Sequence, residues 1–411
     1  MNIHQTTKHI FPDDNDIEIV ERKGWGHPDT LADGLAERIS IDYSKYCLDN
    51  FGYVLHHNVD KVCIMGGLSE FDWGKGKFTE PVRVLVNGRM SGSFDGKKIP
   101  IQSIIEDAVK TYLNKVMPRF DTENWLIIMN ETKQYSRNPR WFNPKSVEDL
   151  PEYKNIFAND TSAVVGCWPL TFAESLTLEL EGLFYDEEKN PKYSFIGQDI
   201  KVMTIRRDNK YSITMCIPFF AQDIKDSLEY KEKKKYIVQV IKDHIQKRFK
   251  DMKLEYELHI NTQDQLAKGI TTAKKAYLVA GGSATDFGEE GCVGRGNNRR
   301  GIIPMMRKYS MEAAWGKNPV YHVGKVYGVI VDEMAREIAE HFDCKVEVLV
   351  MTRNGDPFFS PHEITVFSSK EINSKELESL IKGILAKRDW TQKILKEEVL
   401  LPSVYNIKAE E

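Results

Sequence analysis

Glu21-Arg22-Lys23-Gly24-Trp25-Gly26-His27-Pro28-Asp29-Thr30 runs directly into an apolar series, Leu31, Leu35, Ile39, Tyr43, Tyr46 and Cys47, that recurs at helical spacing and stops near Gly52. The spacing predicts one helix with Asp29 or Thr30 as N-cap, so the glycine-rich segment before it lies at a helix N-terminus. Glycine permits close backbone approach, and a helix start favours anions. His27 is then placed to donate to a phosphate oxygen or leaving group, and Asp29 to hold magnesium through hard oxygen ligation. The same two residues also suit a plain capped helix start, since aspartate caps are common. Asp33 and Glu37 follow on the next turns of the helix.

Outward from this helix, period-two patterning predicts strands near 61–65, 82–86, 125–129, 200–205, 211–219, 254–260, 277–280, 346–351 and 363–367. Amphipathic spacing predicts helices at 101–116, 231–248, 323–341 and 375–386. The order strand, helix, strand recurs at about 82–129 and 211–260, and a strand pair followed by a helix closes the chain at 346–386. The fold class is therefore α/β, in its α+β form. A chain of 411 residues exceeds what one core usually organises, so several units are expected. The division is 1–135 together with late segments, 136–270, and 271–411, with segments interleaved between units.

Hydrophobic residues at 41% and aromatic residues at 10% describe a chain that folds, which excludes a disordered polymer. A net charge of -4 gives no general pull toward nucleic acid or anionic membrane, so a polyanion site must be a local basic cluster. No apolar run reaches the length of a membrane span, and the N-terminus has no signal-peptide core. The six cysteines are scattered, with no C-x-x-C pair, and read as free thiols of a cytoplasmic protein.

The strongest local basic cluster is Gly291-Cys292-Val293-Gly294-Arg295-Gly296-Asn297-Asn298-Arg299-Arg300-Gly301, with Arg307 and Lys308 beyond it. Closely spaced glycines let backbone amides turn toward an anion, and arginine offers planar donors that match phosphate oxygens. The segment lacks the ending of a P-loop and the context of a Rossmann turn. It suits a polyphosphate cradle and, equally, a solvated basic loop. In Gly316-Lys317-Asn318-Pro319 a turn aims one ammonium group. In His56-His57-Asn58-Val59-Asp60-Lys61 the two imidazoles point to opposite faces of a strand, so they do not share a metal. Asp60 suits a cation ligand or an edge-strand polar residue. The polar stretch 131–154, with Pro139, Pro144 and Pro151, suits a functional lid or a surface insertion.

ERKGWGHPDTLADGLAE, HHNVDK, ANDTSAVVG, GQDIKVM, GCVGRGN and SMEAAWGKNPVYHVGK together resemble S-adenosylmethionine synthetase of the archaeal type, in family order and over nearly the whole chain. The resemblance implies three structurally similar domains with pseudo-threefold symmetry, in a homodimer, possibly a higher oligomer, with active sites between subunits. It implies ATP and L-methionine as substrates, with no nucleic acid and no membrane partner. Methionine sulfur attacks C5′ of ATP, and tripolyphosphate is cleaved to pyrophosphate and phosphate with Mg2+ and K+ as cofactors. Carried over by position, His27, Lys201, Arg295 and Lys317 are the catalytic set. Asp199, Glu289, Gly294, Gly296 and Asn297 join them in ATP and phosphate binding, Asp160, Glu289 and Tyr321 lie toward methionine, and Asp29 and Asp60 toward metal. The segment before Asp160 corresponds to the family's active-site gate.

Three features depart from the family pattern. Glu289 replaces an aspartate, Tyr321 replaces an asparagine, and the gate carries Arg137, Arg140, Trp141 and Phe142. The Phe71–Gly76 segment is also unusual. A diverged synthetase acting on another thioether amino acid or nucleotide is therefore the first alternative. An RNA- or polyphosphate-binding module built on 295–308 is the second, disfavoured by the net charge and by Asp29, Asp33 and Glu37.

Overall fold

The computed structural model describes residues 1–135, 141–150, 155–185, 191–250, 254–266 and 271–402. The chain opens with β1 (Asn2–Thr6), β2 (Ile17–Lys23), α1 (Pro28–Phe51), β3 (His57–Met65), a hairpin of β4 (Leu68–Asp72) and β5 (Lys75–Glu80), β6 (Val82–Met90), α2 (Ile101–Val116) and β7 (Leu126–Asn130). It continues with β8 (Ala163–Trp168), α3 (Phe172–Gly182), β9 (Lys201–Arg207), β10 (Lys210–Cys216), α4 (Ser227–Arg248) and β11 (Glu255–Ile260). The last part holds β12 (Gly291–Cys292), β13 (Ile303–Pro304), α5 (Val323–Phe342), β14 (Val346–Met351), β15 (Glu363–Ser368), α6 (Ser374–Ala386) and α7 (Trp390–Lys396). The class is mixed α+β.

Three sheets carry the architecture, with strand orders β12-β3-β6-β7, β11-β10-β9-β2-β13 and β1-β15-β14-β8. Each is built on an antiparallel pair: β3 with β6, β9 with β10, β14 with β15. On one side of the pair lies a parallel strand, β7, β11 or β1, and on the other an antiparallel one, β12, β2 or β8. Helices α1 and α2 close the first core, α3 and α4 the second, α5 and α6 the third. In the first two sheets the parallel strand follows its helix in sequence. In the third that place is taken by β1 from the start of the chain.

The antiparallel neighbours tie the sheets together. β2 belongs to the second sheet but leads into α1 over the first, β8 belongs to the third but leads into α3, and β12 belongs to the first while the next long helix is α5. The crossings at 24–27 and 293–322 therefore run between cores, and both carry motifs picked out in the sequence.

Several elements differ from expectation. The N-cap of α1 is His27 rather than Asp29 or Thr30, because its ring nitrogen accepts the Asp29 amide while Pro28 occupies the first turn without a donor to satisfy. The strand expected over 211–219 ends at Cys216, since Pro218 cannot donate to a ladder, and the Ile217 amide turns instead to the Asn261 side chain at 2.7 Å. Helix α4 begins at Ser227, before 231, where the Asp226 carboxylate accepts two amides. Strand β2 and helix α3 give a broken apolar pattern because polar groups share their buried faces with Val20 and with Leu176, Leu178 and Leu180. Glu18 and Arg22 point inward from β2, and Glu174, Thr177 and Glu181 from α3. They satisfy one another across the core, as in the Arg22–Glu181 pair at 2.7 Å and the Thr177–Thr204 hydroxyl pair at 2.8 Å.

Candidate active site

Lys23 ends β2, and the chain then turns through Gly24 and Gly26 into α1. A Cβ on Gly24 would lie 2.0 Å from the Ile200 carbonyl oxygen, and one on Gly26 would lie 2.6 Å from Gln198, so only glycine brings this turn against the start of β9. The Gly26 amide donates to the Gln198 carbonyl at 2.9 Å. His27 thereby comes close enough to Lys201 for the ammonium to act on its titration. Its Nδ1 accepts the Asp29 amide at 3.2 Å, which leaves the proton of the neutral ring on Nε2. Burial lowers its pKa to about 4, so the ring is a neutral donor at physiological pH. Lys201 pairs with Glu21 at 2.9 Å. Asp199 is buried, accepts the Ala284 amide at 2.9 Å, and is pushed up to about 7 by burial.

The Gly291–Gly301 loop docks on the same helix start. Two of its amides turn toward anions, and both anions are the protein's own carboxylates. The Cys292 amide donates to Asp29 Oδ1 at 3.0 Å and the Gly294 amide to Asp33 Oδ1 at 2.8 Å. Lys23 Nζ bridges Asp29 Oδ2 at 2.8 Å and the Arg295 carbonyl at 2.7 Å. Asn297 pairs through both ends of its amide with the Lys23 backbone, at 2.9 and 2.6 Å. Gly296 leaves room for Asp33, whose Oδ2 would lie 2.3 Å from an added Cβ. Burial holds the Asp33 carboxyl well above the usual range.

The basic residues beyond Gly296 are engaged in the protein's own structure rather than left solvated. Arg299 bonds Asp332 and the Val165 carbonyl, and Arg300 the Cys167 carbonyl with its guanidinium over Trp168. Arg307 bonds Glu174 and Glu347, and Lys308 reaches Glu347 and His9. These cations fasten β8 and α3 to the loop. Arg295 remains exposed.

Lys317 follows Gly316, whose φ of +74° suits glycine and whose amide donates to Glu37 at 3.1 Å. The buried Lys317 ammonium pairs with Glu312, leaving two of its three donors for a ligand. Glu312 also accepts the Ser162 hydroxyl at 2.9 Å, which brings the 158–162 loop to this turn. Asn159 Oδ1 accepts the Val323 amide at the start of α5, at 2.8 Å, while the exposed Asp160 carboxylate accepts the Thr161 amide. The Tyr321 hydroxyl lies 2.5 Å from His56 Nδ1, and Trp141 stacks on that imidazole. Glu289 is exposed and acts on Asp199 electrostatically, so the two departures from the family pattern have different neighbours. Gate residues Arg137 and Arg140 lie outside the described residues.

His57 points away from His56, to Ser40 at 2.8 Å, so the pair does not converge on a metal. Asp60 pairs with Lys61 at 2.7 Å, beside the irregularity in the β3–β6 register. Among the described residues no group of three His, Cys, Asp or Glu side chains could hold a metal. Sequence reasoning gave no role to Lys23 or Glu312. Position within the two motifs was the only signal for either. Nor did it pair Cys63 with Cys292, whose sulfurs lie 3.1 Å apart across β3 and β12.

Burial lowers the His57 pKa to about 3 from an ordinary 6.5. A depressed pKa contributes stability that is present above pH 6.5 and is lost as pH falls toward 3. In His57→Gln, the slope of unfolding free energy between pH 6 and 4 should be shallower by about 1.4 kcal/mol per pH unit, one proton's worth. Urea unfolding at three pH values measures it, and an unchanged slope would refute the neutral buried ring.

No helix among the described residues is long and apolar enough to cross a membrane. A family model of S-adenosylmethionine synthetase (AdoMet synthetase) matches residues 1–400. An uncharacterized protein of Streptococcus pyogenes is 39% identical over 390 residues, 93% of each chain. The S-adenosylmethionine synthase of Caldivirga maquilingensis is 37% identical over 357 residues, 85% of each chain. That of Pyrococcus furiosus is 35% identical over 350 residues, covering 84% of this chain and 83% of the relative.

Proposed function

This chain belongs to the S-adenosylmethionine synthetase family, and from that premise we propose how its residues carry out adenosyl transfer to methionine. The enzyme is a methionine adenosyltransferase that makes S-adenosylmethionine from ATP and L-methionine. In the proposed chemistry the methionine sulfur lone pair attacks C5′, the C5′–O bond breaks, and tripolyphosphate leaves with the bonding electrons. The observation that supports this site is the assembly of His27, Lys23, Lys201 and the Arg295 loop around the start of α1. A leaving group with at least four negative charges needs donors aimed at its oxygens before it departs. Nε2 of neutral His27 is one such donor, and Lys201, Arg295 and Lys317 supply the charge. Gly294, Gly296 and Asn297 shape the loop that offers Arg295.

Magnesium typically takes one or two carboxylates and completes its shell with phosphate oxygens and water. Asp29, beside the phosphate loop, fits that mode, with Asp60 a second candidate. When bound, the ion neutralises charge on the phosphate chain. Potassium is proposed as a supporting cation. Asp199 and Glu289 are assigned to the nucleotide side, Asp160 and Tyr321 to the methionine side, and 141–150 to the end of a gate. A homodimer with active sites between subunits is part of this reading. So is a reducing, cytoplasmic setting.

Incubation with ATP, methionine, magnesium and potassium should give a sulfonium product of the mass of S-adenosylmethionine, with one pyrophosphate and one phosphate per product. Stoichiometric free tripolyphosphate would contradict the hydrolytic step. The contact of Tyr321 with His56, on which Trp141 also stacks, is one the family's asparagine would not build, and it supports a second reading: a diverged synthetase that ranks thioether amino acids differently. The same assay with S-ethylhomocysteine beside methionine separates the two.

A further inference from the structure

We propose that the segment Glu398–Pro402 is a positioning strap, which holds the His27 turn and the Lys317 turn in place by accepting hydrogen bonds from two indoles. Trp25 Nε1 donates to the Pro402 carbonyl at 3.0 Å, and Trp315 Nε1 donates to the Leu400 carbonyl at 2.9 Å. The tryptophans are 290 positions apart in sequence, but each stands in the same local place: Trp25-Gly26-His27 and Trp315-Gly316-Lys317. Each thus precedes by two residues a side chain assigned to the phosphates. Glycine lets these turns form but does not hold them, since it has no side chain to pack. The indole on its N-terminal flank supplies what the glycine lacks.

The strap is itself fixed. Glu398 bonds Arg38 and Lys45 of α1, each at 2.8 Å, and the Leu401 amide turns back to the Glu398 carbonyl at 2.9 Å. The Leu400 side chain is buried in the third core, and Leu401 packs against the first. Val399–Pro402 line one pocket with Thr30, Asp33 and Asn297, next to the carboxylate that holds the phosphate loop. One short segment, fastened to α1 and to two cores, therefore spans both motif-bearing crossings. Holding a donor to its productive place affects turnover more than ground-state affinity, so the strap acts on kcat.

The inference rests on the proposed reaction for its kinetic readout but not for its structural one. Trp25→Phe and Trp315→Phe keep an aromatic ring and remove the Nε1 donor together with the rest of the five-membered ring. Each should lower kcat about tenfold and move the KM for ATP less than about twofold, the split expected when positioning rather than uniform binding is lost. In hydrogen exchange, each variant should exchange faster than the parent at its own turn, over 22–30 or 313–320. A chain ending at Glu397 should exchange faster at both, and adding Trp25→Phe to it should cost no further kcat. Unchanged exchange at these turns in the two phenylalanine variants would overturn the strap, and so would a full multiplicative loss on the shortened chain. If the shortened chain does not fold, the full-length variants decide alone. A parent without adenosyl transfer would refute the reaction and leave exchange to judge the strap.

Discussion

Lys201→Ala and Arg295→Ala should each lower the rate of adenosyl transfer by about 10²–10³, the cost of removing one donor to charge that develops in the transition state. Lys201 stands opposite Lys23 in the β9–β2 register, with its ammonium on Glu21 and half open to solvent. Arg295 extends from a loop already fixed by Asp29, Asp33 and Lys23. Since neither side chain holds a core together, both variants should fold, and the loss should appear in kcat. Single-turnover formation of the sulfonium is the measurement. Turnover within a few-fold of the parent in either variant would remove that residue from the mechanism.

Lys325→Met should destabilise the fold by about 3–5 kcal/mol, because it strands a buried carboxylate. Lys325 and Glu37 are both fully buried, 2.8 Å apart, and the ammonium also reaches the Ser40 hydroxyl at 3.1 Å. Burial lowers the lysine's pKa, while Glu37 offsets part of that effect. Glu37 also receives the Gly316 amide, so the same pair sets the Lys317 turn. Coupling Lys325→Met with Glu37→Leu should restore part of the lost stability, since no charge is then left unpaired, although Gly316 loses its acceptor. A urea midpoint for Lys325→Met equal to the parent's would show that Glu37 finds another partner.

The apolar periodicity that ends at Gly52 located α1, and the two strand–helix–strand patterns appear as parallel β6–β7 and β10–β11 around α2 and α4. Local physics suffices there, because a stripe of leucine and isoleucine at helical spacing has one good way to be buried. Quoted motifs in family order also carried the family, which the comparisons establish. The roles of individual site residues are a different matter, since each depends on what lies across a crossing between cores.

What only the tertiary structure decided is where buried charge finds its partner. Asp29, Asp33 and Glu37 read in sequence as a polar stripe on α1, yet all three are buried and hold three backbone amides from 292, 294 and 316. Arg299, Arg300 and Arg307 belong in sequence to a run that suits a phosphate cradle or a solvated loop, yet they fasten β8, α3 and α5. β2 and α3 are hard to read for a similar reason, since Arg22 and Glu181 interrupt their apolar patterns and neutralise each other inside the core. Burying a charge is costly alone and acceptable when paired, and Arg22 and Glu181, Asp29 and the 292 amide, and Arg307 and Glu174 each lie more than 100 residues apart, so no short window of sequence contains both halves of these decisions.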